Sequence, residues 1–314
     1  MEPRQWQAAD LRTGFGWAKG TFGELLQGVL IENDMDFLVT LPITKGTAAT
    51  FQPVPGSQRI SVHPPHKRKA SRLAGLMMTA LSLPCGGYLW LETELAEGKG
   101  FASSSADLVA TVHAVGDAFG LVFDESVIEA FLRPIEPSDG VMYQGVVAYY
   151  HRAVRLREQL GFLTDLLIVA HDEGGEIDTI RFNRMPKPFG AEDKAEYSSL
   201  LAELSRAVRA DDLDSVGRIA TRSAELNEKL RPRKFFQQIR RLSRDIGGLG
   251  LAAAHSGTVL GILLDAADPE REAKIDKADQ SLRALPGSVS IYRTAAAHVT
   301  MPAMLGPGHD NQPS

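Results

Sequence analysis

In the first half of the chain, apolar residues fall in short runs bounded by polar or turn-forming residues, which is the pattern of strands. Val29 to Ile31 and Phe37 to Leu41 flank the polar segment 32–36 and predict a hairpin with a longer loop. Thr47 to Phe51, Ile60 to Val62 and Tyr88 to Glu94 predict further short strands. Between them Leu73, Leu76, Met77, Ala80 and Leu81 recur at helical spacing, predicting a helix over 69–83. Val146 to Tyr150 predicts a strand that closes this half. The second half reads differently. Leu166 to Ala170 is a buried-strand run ending at a Gly174-Gly175 turn, and helical stretches follow at about 192–210, 212–230 and 234–246. Leu249 to Ala254 and Val259 to Leu264 predict two strands broken by His255-Ser256-Gly257. A helix over about 270–285 and short strands at 288–292 and 298–301 complete the pattern. The tail 306–314 is Gly, Pro and polar throughout and predicts disorder. Strands and helices without strict alternation imply an α+β fold and not a doubly wound sheet. The expected division is an N-terminal domain over 1–160 and a C-terminal domain over 161–305.

Composition narrows the function. With 314 residues, 44% of them hydrophobic, the chain can bury two domain cores. A net charge of −5 argues against a nucleic-acid binder, which usually carries a basic field. The one dense basic run, His66-Lys67-Arg68-Lys69, reads as a solvated face or as charge beside a substrate. A single cysteine, Cys85, excludes an intramolecular disulfide; in its turn-like Leu-Pro-Cys-Gly-Gly setting it reads as a small apolar residue. His63 and His66 lack a third ligand nearby, which argues against a metal site there. No apolar run approaches the roughly 20 residues of a membrane span, and the start lacks a signal-peptide core. A soluble, cytoplasmic protein is expected, with a homodimer left open.

Three segments carry candidate chemistry. In Glu97-Gly98-Lys99-Gly100-Phe101-Ala102-Ser103-Ser104-Ser105-Ala106-Asp107, glycines allow a tight turn before an amphipathic helix with Leu108, Val112, Val115 and Phe119 on one stripe. A helix N-terminus behind such a turn is an anion site. The bland alternative is a turn and a capped helix, since Ser104 and Asp107 fit a capping box. It is not a Walker A loop, because no Gly-Lys-Ser/Thr follows at the required spacing. Segment 18–28, with three glycines and Glu24, reads as a strand-bounded turn. Segment 253–261 reads as a small-residue turn in which Gly257 permits close backbone approach or merely a tight hairpin.

In this order and spacing the three segments resemble the motifs of the GHMP kinases: galactokinase, homoserine kinase, mevalonate kinase and phosphomevalonate kinase. Gly98 to Ala106 is similar to that family's Pro-x-x-x-Gly-Leu-Gly-Ser-Ser-Ala-Ala, with Phe101 for Leu, Ala102 for Gly, and no proline. The resemblance spans about residues 14–302. Gly-Glu-Leu-Leu-Gln-Gly at 23–28, Glu136-Pro137-Ser138-Asp139 and Ala254-His255-Ser256-Gly257 are most similar to the L-threonine kinases of cobalamin biosynthesis.

The resemblance implies a ribosomal-protein-S5-like N-terminal domain, a ferredoxin-like C-terminal domain and a site between them. It assigns Gly98, Lys99, Gly100, Phe101, Ala102, Ser103, Ser104 and Ser105 to the ATP phosphates, and Ser104 to magnesium. Asp139 aligns with the catalytic aspartate, although Pro137-Ser138-Asp139-Gly140 is equally a turn sequence. Glu136 is the candidate second magnesium ligand, with Glu125 and Glu129 as fallbacks because it lies so near Asp139. Lys19, Glu24, Gln27, Ser256, Gly257 and Thr258 are candidates for the acceptor pocket; His255 reads first as a satisfied core histidine. The implied activity is ATP- and magnesium-dependent phosphorylation of the hydroxyl of L-threonine or a near relative. The alternatives are a kinase for another acceptor (homoserine, a sugar, an amino alcohol), a non-catalytic sensor on the same scaffold, and a decarboxylase of the mevalonate-diphosphate type.

Overall fold

The polar segment 32–36 turns the chain between two long strands, β1 (Gly14–Val29) and β2 (Asp36–Val54), paired antiparallel from Gly14↔Phe51 to Val29↔Asp36. The computed structural model describes residues 11–84, 86–175, 187–255 and 257–295. Segment 18–28 is therefore strand interior and not the expected turn. The register shifts between Lys19 and Leu26 and a positive φ of 49° at Gly23 place bulges there. Its neighbouring glycines serve close packing: a Cβ on Gly14 or Gly16 would lie 2.2 Å from a carbonyl oxygen of the helix beneath, Ala114 and Ala110 respectively.

That helix is α2 (Ser103–Ala118), which lies against β1 and β2 and is flanked by α1 (Arg68–Ala80) and α3 (Glu125–Leu132). The stripe Leu108, Val112, Val115, Phe119 is buried as expected, but so is most of the opposite face, including Asp107 and Thr111. Packed between sheet and helices, α2 is enclosed and not amphipathic. β4 (Gly86–Thr93) pairs with β2, and β3 (Ile60–His63) runs parallel to β4 at the edge. β5 (Val146–Tyr150) pairs with β2 and with β6 (Arg155–Gly161), so the first half closes one strand later than its apolar pattern predicts.

β7 (Leu166–Asp172), β8 (Gly250–Ala253), β9 (Val259–Asp265) and β10 (Ser288–Arg293) are antiparallel, in the order β10-β7-β9-β8. This set joins the first through Glu24 of β1 with Ala253 of β8 and through an isolated bridge between Ile43 of β2 and Thr294, just past β10. The three helical stretches appear as α4 (Ala191–Arg209), α5 (Leu213–Asn227) and α6 (Phe236–Asp245), and α7 (Arg271–Arg283) precedes β10. The arrangement is α+β. The main core draws side chains from both halves, whereas a second cluster around Ile239, Ile262 and Leu282 belongs to the second half alone. The expected division near residue 160 falls at the end of β6. Cys85, Ser256, the strand expected at 298–301 and the tail 306–314 lie outside the described residues. Among the described residues, no helix is long and apolar enough to cross a membrane.

Candidate active site

The loop before α2 holds three consecutive alternate residues in left-handed backbone: Gly98 (φ 69°), Gly100 (φ 92°) and Ala102 (φ 55°). Hydrogen bonds from Thr21 N to Phe101 O (3.2 Å) and from Gly23 N to Gly100 O (3.1 Å) lay this loop on β1. Phe101 anchors it from below. Its ring is buried against Phe22 (5.6 Å between centroids) and Tyr292 (4.9 Å), so β1, the loop and β10 share one aromatic cluster. The capping box does not form. Ser104 is the second residue of α2 and its hydroxyl donates to Glu136, while Asp107 takes Lys67 and the Thr47 hydroxyl (3.0 Å). No side chain caps α2, so its first-turn N–H groups are left for an anion.

The turn after β8 buttresses the loop. A Cβ on Gly257 would lie 1.9 Å from Lys99 O, and one on Gly100 would lie 2.3 Å from the Ala254 Cβ. The small residues of this turn therefore approach protein backbone. Lys99 points the same way: its ammonium pairs with Asp172 (2.8 Å) and donates to Gly175 O (2.7 Å), and the Thr258 hydroxyl also donates to Asp172. Lys99 and Thr258 thus latch the loop to β7 and turn away from the cavity in front of it.

That cavity, of about 110 Å³, is walled by the loop and by Glu24, Ser104, Glu136, Asp139, His151 and His255. Ser104 and Glu136, remote in sequence, meet here, and Lys69 pairs with the same carboxylate. Two hard oxygen donors beside a phosphate-type loop suit magnesium, which keeps most of its shell for water and phosphate. The fallbacks fit less well. Glu129 is buried in the core, accepting from Tyr143 Oη (2.9 Å) and Leu156 N (2.7 Å), and Glu125 opens α3 away from the cavity wall.

Asp139 is fixed from two sides. Its N–H donates to Ser105 Oγ at 3.0 Å, and the preceding Ser138 N–H donates to His151 O at 3.1 Å. Burial, then the charge of Glu136, pushes its carboxyl up to about 6, against a hydrogen bond from the Ser105 hydroxyl. Glu24 is raised well above the usual carboxylate range, chiefly by burial and then by Asp139, with the His255 N–H and Arg233 opposing. Two carboxyl groups sharing a partly dry cavity are the arrangement that poises one for proton transfer near neutrality.

Gln27 stands behind this wall. Its amide donates to Glu24 Oε2 (3.3 Å) and Ala253 O (3.1 Å), and its oxygen accepts from Asn227 (3.2 Å) and from His255 Nδ1 (2.8 Å). With donors and acceptor already engaged, it orients Glu24 and His255 and makes no contact with the cavity. Lys19 reaches Gln144 Oε1 at 3.3 Å, in the loop after Asp139, and burial lowers its ammonium to about 8. His151 is the residue the motifs do not mark. It follows an all-apolar strand, and only the fold brings its ring to the cavity. On the far side of the loop, a second cavity of about 340 Å³ is bounded by the basic run 66–69 together with Gly98, Ser103 and Ser104.

Residues 68–145 match the model of the GHMP kinases N terminal domain. The chain is 25% identical over 248 residues to the L-threonine kinase of Citrobacter freundii, an alignment covering 77% of this chain and 83% of that protein. It is 26% identical over 182 residues to the L-threonine kinase of Salmonella typhimurium, covering 56% of this chain and 59% of that one. The solved homoserine kinase from Cytophaga hutchinsonii superposes with a TM-score of 0.70 at 15% identity, covering 93% of this chain and 97% of that one. The chain carries a GHMP kinase N-terminal domain within the GHMP kinase fold.

Proposed function

We propose that this GHMP-family kinase transfers the terminal phosphoryl group of ATP to the side-chain hydroxyl of L-threonine or a closely related amino acid. The observation that carries the reading is the shared cavity: the uncapped start of α2, the Ser104–Glu136 oxygens and the Asp139 carboxyl all face one small space. Phosphoryl transfer needs little more than positioning and charge neutralisation. In this reading the nucleotide occupies the 340 Å³ cavity beside the basic run and extends its phosphates over Gly98 to Ser105. Ser104 and Glu136 would hold magnesium, and the ion would supply charge neutralisation at the transferring phosphoryl group. Ser104 and Glu136 would supply two oxygen donors to it; among the described residues no cluster of three or more His, Cys, Asp or Glu could hold a metal ion.

Asp139 orients the acceptor hydroxyl and takes its proton. An amino acid is favoured because, among the described residues, the cavity wall offers the buried Glu24 carboxyl no cationic side chain, and an ammonium supplies that charge. The named L-threonine kinases among its relatives point the same way. An ADP-release assay over L-threonine, L-serine, L-homoserine, galactose and mevalonate tests the assignment. L-threonine should give the highest kcat/KM, and a sugar or mevalonate leading the series contradicts it.

A further inference from the structure

His151 is only 2% exposed, its ring lines the cavity, and neither ring nitrogen has a hydrogen-bond partner among the described residues. Buried polar atoms in folded proteins are almost always paired, so an unpaired imidazole in a cavity wall asks for a ligand. Its surroundings say which. His255 packs edge-on against it, with centroids 4.8 Å apart. Glu24 and Asp139 share the cavity wall with the pair, and the charges of Lys187 and Arg152 act on both imidazoles. Burial first, then those two cations, holds the His151 ring at about 3, far below its ordinary value. At neutral pH it is uncharged, with one N–H donor and one bare nitrogen. The positive charges of Lys187 and Arg152 disfavour a cation beside the histidines and favour an anion.

We propose that His151 is the carboxylate-recognising residue of the acceptor pocket, donating its ring N–H to the carboxylate of a hydroxy amino acid whose ammonium faces Glu24. The proposal rests on the reading above, and it sets specificity within it.

The test compares L-threonine with 1-amino-2-propanol, which keeps the amine and the secondary hydroxyl but lacks the carboxylate, in the full-length protein and in His151→Phe and His151→Gln. For His151→Phe, KM for L-threonine should rise about 10–100-fold, as expected for losing one hydrogen bond to a charged group. Its KM for ATP and for 1-amino-2-propanol should stay within about threefold, kcat likewise, and the ligand-free melting temperature should not fall, because an unpaired polar group has been removed. His151→Gln, which keeps a donor, should recover part of the preference for L-threonine and decides the matter if the Phe variant melts early. An unchanged preference in both variants overturns the proposal, as does an equal loss for both substrates, the mark of a structural role. A wild-type protein that phosphorylates no hydroxy amino acid overturns the parent reading instead, and this one with it.

Discussion

The backbone N–H of Asp139 donates to the hydroxyl of Ser105 at 3.0 Å, joining residues 34 positions apart. The turn that carries the acidic group is thereby pinned to the first turn of the helix that faces the phosphates. Their separation is set by backbone and a short side chain, not by flexible contacts.

Replacing Asp139 with Asn should keep this backbone hydrogen bond and lower kcat by about 10²–10⁴-fold, the usual range for a general base. The carboxyl is raised to about 6, so turnover in the unmodified protein should rise with pH through that value and level off above it. The sign for stability is opposite. An acid whose folded value exceeds its ordinary 3.8 contributes stability below that value and loses it as pH climbs through about 6. The Asn variant should therefore melt at or above the wild-type temperature at pH 7, and lack the wild type's decline between pH 4 and 6. Near-normal turnover with earlier melting would make Asp139 a turn residue only.

Ser104→Ala and Glu136→Gln should each raise the magnesium concentration needed for half-maximal rate, by roughly 10–100-fold if they act as ligands or orient them. Lys69→Met removes the ion pair to Glu136 but neither oxygen donor, so it should shift the magnesium requirement less. Equal magnesium titrations in all four proteins would remove the Ser104–Glu136 pair from the metal site.

The phosphate loop should respond to its anchors. Phe101→Ala empties a buried aromatic site and should cost about 3–5 kcal/mol, read from denaturant unfolding, with a raised KM for ATP. Gly257→Ala should also raise that KM, because the new methyl would meet the Lys99 carbonyl. Ala102→Gly should act the other way. It relieves a left-handed alanine worth about 1 kcal/mol, offset in part by backbone entropy, so stability should hold or rise. Loss of stability in Ala102→Gly would mean the loop is shaped by something other than its backbone angles.

Much of this architecture is legible in the sequence where one period dominates. The hairpin around 32–36, α1, and the trio α4 to α6 follow directly from spacing. β6 escapes because Arg155, Arg157, Glu158 and Gln159 give an edge strand no apolar run, and α3 escapes because eight residues are too few to show a period. Segment 18–28 misleads because glycine marks turns and close packing alike; Gly20 lies against the Phe101 carbonyl and Gly28 against the Tyr197 ring. The same ambiguity hides the role of Gly257, whose neighbour is backbone. In the site, the motifs supply Ser104, Glu136 and Asp139, but the contact between Ser104 and Glu136 spans 32 residues and needs the fold. His151 leaves no trace in any motif, since its role comes from a cavity that five separate stretches of the chain build.

The most direct test of the account is phosphorus NMR of the protein incubated with ATP, magnesium and L-threonine. A phosphomonoester signal coupled to the threonine β-proton should grow in step with ADP, and should be all but absent with Asp139→Asn. ATP that persists unchanged, or that yields only inorganic phosphate, would contradict it.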